Sequence, residues 1–293
     1  MKNIEVLKIN QFSKGAFKEE FYVNTIKNHL TAGHLHIEKP HKHNFYAAML
    51  FTKGSGMHEI DFQRYEVKPG SVFLLSPGQT HHWELSGDAD GYIFFHSQEF
   101  YDMNYVHDRL REFSFFSSIH NSRCIYLPQE QHDKVKTLFN NILQEFRSAG
   151  WKKQQFILSF IMQLYITFSR IMMTGNNKQE TLQSRYNIKF QDFEKLLEEH
   201  FYNEKLPSKY AEMMNITPKH LNRITKTIIN KTTSDVIAER VILEAKRLLL
   251  YSNSSFSEIA FTLGYDDYPY FSRVFKKYTG ETPSIFLKRY SLV

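Results

Sequence analysis

The sequence predicts an α+β multidomain chain, in which an N-terminal β-barrel with flanking helices precedes an all-α domain built from two copies of one helical unit joined by a long helix. Three observations predict it. Between residues 20 and 100, short apolar runs end at glycine and proline. From Gln129 the apolar spacing becomes helical. After residue 190 a basic pattern recurs about fifty residues on.

The β-rich part is read from its punctuation. Residues 45–51 are apolar and end at Lys53-Gly54-Ser55-Gly56; Glu66-Val67-Lys68 ends at Pro69-Gly70; residues 71–75 end at Ser76-Pro77-Gly78. Strands at such spacing indicate a sandwich or barrel. Two helices then follow, one on Val135, Leu138, Phe139, Ile142, Leu143 and Phe146, the next on Phe156, Ile157, Phe160, Ile161, Leu164, Tyr165 and Phe168. The polar stretch 175–181 reads as an interdomain linker. The expected division is residues 1–174 (β-rich to about 127, helical over 129–174), a linker over 175–189, and a helical domain over 190–293.

With 293 residues and 42% hydrophobic content, the chain can supply two cores. The single cysteine, Cys124, excludes an internal disulfide framework and any four-cysteine zinc site. Residues 1–5 mix charges before any apolar run, so no signal peptide is expected. No run approaches the roughly 20 consecutive apolar residues of a membrane span. A cytoplasmic protein without a membrane partner is the expectation.

The net charge of +6 is a weak pointer to an anionic partner, and its distribution says more. Residues 190–293 hold 15 Lys+Arg against 13 Asp+Glu. Residues 217–231 nevertheless carry Lys219, Arg223, Lys226 and Lys231 with no acid, and residues 268–280 carry Arg273, Lys276 and Lys277 with none. Each acid-free segment follows a short helix pattern and a tight turn. Residues 207–214 lead through Asn215-Ile216 to Thr217-Pro218, an N-cap followed by proline at the first helical position. Residues 256–263 lead through Gly264-Tyr265 to an N-cap at Asp266 or Asp267. Ala211 matches Ala260 at an offset of 49; Leu221, Arg223, Lys226, Thr232 and Ser234 match Phe271, Arg273, Lys276, Thr282 and Ser284 at 50.

Two helix-turn-helix units are the reading that fits, each offering a basic helix to a DNA major groove. The first offers Lys219, His220, Asn222, Arg223 and Lys226; the second offers Tyr268, Tyr270, Ser272, Arg273, Lys276 and Lys277. Residues 235–251 form the connecting helix, which would hold the two about one duplex turn, ~34 Å, apart. Solvated surface charge is the competing reading, and it is weakened by the match between two copies.

Residues 194–290 resemble the DNA-binding domain of the AraC/XylS family of bacterial regulators. The resemblance rests on Ile259-Ala260, Gly264-Tyr265, Tyr270-Phe271-Ser272-Arg273-Val274-Phe275-Lys276-Lys277 and Thr279-Gly280-Glu281-Thr282-Pro283, with Arg240, Ala245 and Leu248-Leu249 in the connector. Thr225 stands where the family's first unit has an aromatic residue, and Asn230 where it has glycine. The resemblance implies a transcription factor acting on double-stranded promoter DNA and RNA polymerase, controlled by a small-molecule effector and commonly a homodimer.

Twelve of the 14 histidines precede residue 190. Residues 40–83 resemble the cupin fold, with His41-Lys42-His43 standing for its first motif and Gly70, Pro77-Gly78 and His81 for its second. His41, His43 and His81 are of the type that ligates zinc, iron or manganese. A metal-binding cupin would follow with a glutamate where this chain has Ala47 and Ala48. The reading adopted is therefore no catalytic residue, no cofactor and no metal, but a sensing pocket drawn from His34, His36, His43, Tyr46, His81 and Trp83, for a sugar or another small organic molecule. The alternatives are a metal-dependent cupin enzyme with an appended DNA-binding module, and histidines that only complete the barrel. The helices over 129–173 are the candidates for dimerisation.

Overall fold

The computed structural model describes residues 6–12, 20–31, 39–102, 110, 113–117, 122–173 and 180–291. Their contacts divide the chain into two compact units, one ending at Asn177 and the other beginning at Lys178.

In the N-terminal unit, β2 (Phe21–Thr25), β4 (Tyr46–Lys53), β7 (Ser71–Leu75), β9 (Asp90–His96) and β10 (Cys124–Tyr126) form an antiparallel sheet in the order β10-β7-β4-β9-β2. A second sheet orders β5 (Gly56–Ile60), β6 (Gln63–Val67) and β8 (His81–Leu85) as β6-β5-β8. A third pairs β1 (Val6–Leu7) in parallel with β3 (Lys42–His43). Among the described residues, the expected cupin-like barrel is an arrangement of separate sheets that does not close. Short helices α1 (Ile26–Thr31), α2 (Gln98–Asp102) and α3 (Ser114–Ser117) lie among them, and α4 (His132–Arg147) and α5 (Lys153–Met173) follow as a packed pair.

The five-stranded sheet is buried on both faces. On β4, Tyr46, Ala48 and Leu50 join a core shared with α4 and α5, whereas Ala47, Met49 and Phe51 join a core with Ile60, Trp83 and Phe95. A strand covered on both sides needs no polar alternation, which is why residues 46–51 are uninterruptedly apolar. Within α5, Ile157, Leu158, Ile161, Leu164, Tyr165 and Phe168 are fully buried. By length and composition, Lys153–Met172 would suffice to cross a membrane. The expectation concerned consecutive apolar residues, and Gln154, Ser159, Gln163, Thr167 and Arg170 interrupt this helix without making it polar.

The C-terminal unit is all helical: α6 (Glu180–His200), α7 (Pro207–Met213), α8 (Pro218–Ile229), α9 (Thr233–Tyr251), α10 (Phe256–Thr262), α11 (Tyr268–Thr279) and α12 (Pro283–Ser291). Residues 180–189, expected in the linker, belong to α6. Arg240 ties α9 to α6, its side chain donating to both Glu198 oxygens at 2.6 and 2.9 Å and to Glu244 at 3.2 Å, with the guanidinium 3.8 Å from the Phe201 ring centre. Arg240→Met is expected to lower the stability of this unit by about 2 kcal/mol, since the pair is buried on one side only. An unchanged urea midpoint would contradict that role.

Candidate functional site

The two helix-turn-helix units are built from matching local devices. In the first, the chain turns at Asn215, whose φ is 53°, and Thr217 caps α8 by accepting from the His220 N–H at 3.2 Å. In the second, it turns at Gly264, φ 72°, and Asp267, not Asp266, caps α11 by accepting from the Tyr270 N–H at 2.7 Å. Ser255 and Glu258 cap α10 reciprocally. Both recognition helices end on a left-handed residue, Asn230 at φ 55° and Gly280 at φ 82°. Asparagine tolerates that conformation better than most residues, so the first unit keeps its cap without glycine.

The buried sides also correspond. Leu221, Ile224 and Thr225 are buried on α8, Phe271 and Phe275 on α11. Thr225 fills the position of Phe275, where its hydroxyl donates to the Asn222 carbonyl at 3.1 Å and lies 3.3 Å from that of Thr233. Lys219, Arg223 and Lys226 stand exposed on α8, and Tyr270, Arg273, Lys276 and Lys277 on α11. The other residues singled out are half-buried. Asn222 turns toward α9, its amide oxygen accepting from the Thr233 N–H at 3.1 Å. Tyr268 stacks on Phe256 with centroids 5.6 Å apart. His220 lies beside Tyr186, and Ser272 is partly covered. The Tyr278 hydroxyl donates to Asp235 at 3.0 Å, linking α11 to α9.

In the N-terminal unit a cavity lies between the sheets, walled by Leu7, Phe12, His29, His41, His43, Phe45, Met49, His81, Trp83, Ile93 and Phe95. Its void is about 10 Å³, room for a single water. Of the six predicted pocket residues, His43, His81 and Trp83 line it. Tyr46 does not: the odd-numbered residues of β4 face the cavity, and Tyr46 points the other way, stacked on His96 at 5.4 Å. His34 and His36 lie outside the described residues.

The imidazoles form a cluster. The His41 and His81 centroids are 4.2 Å apart, and His43 and His58 each lie 5.1 Å from His81. His43 Nδ1 donates to the Phe45 carbonyl at 2.7 Å, which leaves Nε2 as a bare acceptor. His58 Nε2 and His81 Nδ1 share a hydrogen bond at 3.0 Å. His43 Nε2, His58 Nδ1, His81 Nε2 and Trp83 Nε1 are buried without a hydrogen-bond partner. Burial, aided by the neighbouring His41, pushes His43 down to about 3; burial likewise holds His58 and His81 well below the ordinary imidazole value. His43, His58 and His81 are therefore neutral, a set of acceptors and donors in apolar surroundings. Among the described residues no three His, Cys, Asp or Glu side chains are placed to hold a metal ion. His58, absent from the sequence reading, sits opposite Trp83 in the β5–β8 register.

Residues 30–165 match the model of the AraC-like ligand binding domain, and residues 210–289 match a helix-turn-helix domain. The arabinose operon regulatory protein of Salmonella typhimurium is 23% identical over 254 residues, 85% of this chain and 86% of that protein. The chain belongs to the AraC family. The HTH-type transcriptional activator RhaS of Escherichia coli O81 is likewise 23% identical, over 81% of this chain and 83% of its own length. Among solved structures, ToxT from Vibrio cholerae strain SCE256 covers 92% of this chain and 95% of its own at 16% identity and a TM-score of 0.41. As an AraC-family protein, the chain is a DNA-binding transcription regulator with a ligand-binding domain.

Proposed function

We propose that α8 and α11 read two segments of one promoter site, with Arg223 and Arg273 on base edges and Lys219, Lys226, Lys276 and Lys277 on phosphates. The observation that carries this reading is the equivalence of Arg223 with Arg273 and Lys226 with Lys276, all four exposed at an offset of 50 between helices of matching caps and turns. Removing all four should abolish promoter binding by a folded protein; binding that survives refutes the assignment. Singly, Arg223→Ala or Arg273→Ala should cost about 1–3 kcal/mol and relax base preference in one half of the site. Lys276→Ala or Lys277→Ala should instead weaken all sequences alike and flatten the salt dependence. Titrations at several salt concentrations separate the two.

The N-terminal unit, on this reading, senses an effector at the imidazole-lined cavity, and the unpartnered nitrogens of His43, His58, His81 and Trp83 are the groups that would hold it. Hydroxyl groups would satisfy both acceptors and donors, which favours a sugar or another small polyol, and the name of the arabinose operon regulatory protein points the same way. The protein acts in the cytoplasm as a regulator without a catalytic step, recruiting RNA polymerase. A homodimer would form through α4 and α5, where Trp151 before α5 and Phe156 on it are exposed.

A further inference from the structure

Tyr186, in the first turns of α6, lies against the first recognition helix. Its ring centroid is 5.9 Å from that of His220, and the Arg223 guanidinium carbon is 5.7 Å from the ring centre. His220 and Arg223 are three residues apart on α8 and so share a face. His220 Nε2 is shielded from water and has no hydrogen-bond partner.

The second unit explains the arrangement. Arg273, the counterpart of Arg223, has its guanidinium 5.8 Å from the ring of Tyr270, and Tyr270 is the counterpart of His220. One recognition helix thus carries both an arginine and the ring beside it. The other has histidine at that position and takes its ring from α6. A guanidinium resting near an aromatic ring is attracted to it and gives up part of its rotamer freedom before any base arrives.

We propose that Tyr186 is a positioning residue for the first DNA-reading surface: its ring presets Arg223 and His220, so that base preference in one half of the site depends on the first turns of α6. This rests on the reading of α8 as DNA-facing. In sequence those turns come directly after the ligand-binding part, so a shift in them would alter one half of the site and leave the other unchanged.

The test uses the full chain and a duplex selected by it from a randomised library. Tyr186→Ala should bind that duplex about three- to fivefold more weakly. It should lose base preference only in the half that Arg223→Ala alters, and melt as the wild type does. Tyr186→Phe should restore both affinity and preference. Should the alanine variant melt lower, Tyr186→Leu, which keeps apolar volume without the ring, should show the same selective loss. Tighter binding by Tyr186→Ala would make the ring a cover and overturn the proposal, as would equal loss in both halves or unaltered preference. If Arg223→Ala itself leaves preference unchanged, the assignment of α8 to DNA fails and this proposal with it. A shift with Arg223→Ala and none with Tyr186→Ala sinks the positioning role alone.

Discussion

Gly264→Ala is expected to lower the stability of the helical unit by more than about 3 kcal/mol, enough to leave a large part of it unfolded at 37 °C. Two effects coincide at this position. The residue has φ +72°, which an L side chain adopts only under strain, and a Cβ there would lie 2.2 Å from the Tyr202 carbonyl oxygen, a backbone atom that cannot rotate aside. Gly78, with φ +82° and nothing within 4 Å of its would-be Cβ, isolates the first effect. Gly78→Ala should cost about 1 kcal/mol. Urea unfolding followed by far-UV circular dichroism compares them; equal losses would show that close approach to Tyr202 contributes nothing. Gly264 forms the turn between α10 and α11, so the folded fraction of the same variant should lose the contacts proposed above for α11.

Acid should unfold the N-terminal unit well before the ordinary carboxylate range. Burial pushes His43 down to about 3 and His96 to about 4, and holds His58 and His81 well below the usual imidazole value. In the unfolded chain each titrates near pH 6.5, so as pH falls the unfolded state takes up protons that the folded state refuses. The stability from these neutral rings is complete above about pH 6.5 and declines from there toward the folded values. At pH 5, His43 alone accounts for a loss of about 2 kcal/mol. Melting temperatures from near-UV circular dichroism, measured between pH 7.5 and 5, should fall steeply, and His43→Gln should flatten the slope. A constant melting temperature across that range would mean that the cluster is solvated.

Local devices were legible in the sequence, and long-range pairings were not. Thr217-Pro218, Asp267 and Gly264 each act within four residues of themselves, so their order along the chain announced the turns and N-terminal ends of α8 and α11. Tyr46 was misread because β4 is buried on both faces, and such a strand carries no alternation to say which side lines the cavity. His58 meets Trp83 only through the pairing of β5 with β8, a register that neither strand encodes alone. Tyr186 was passed over as linker because residues 180–189 are largely polar, and the ring's partners lie more than thirty residues away on α8. Asn222 looked like an outward residue of a basic helix, yet its amide oxygen meets the start of α9, a partner eleven residues on.

The void of about 10 Å³ between the sheets has a kinetic consequence. An organic effector larger than a water cannot enter it as it stands, so entry waits on a wall giving way. The wall that includes Leu7 rests on a short pairing, since β1 is two residues long and pairs with a strand equally short. Association with such an effector would run at the rate at which that wall opens, reaching a plateau at high ligand concentration instead of rising with it. The apparent affinity would fall short of the intrinsic one by the fraction of time the wall stands open.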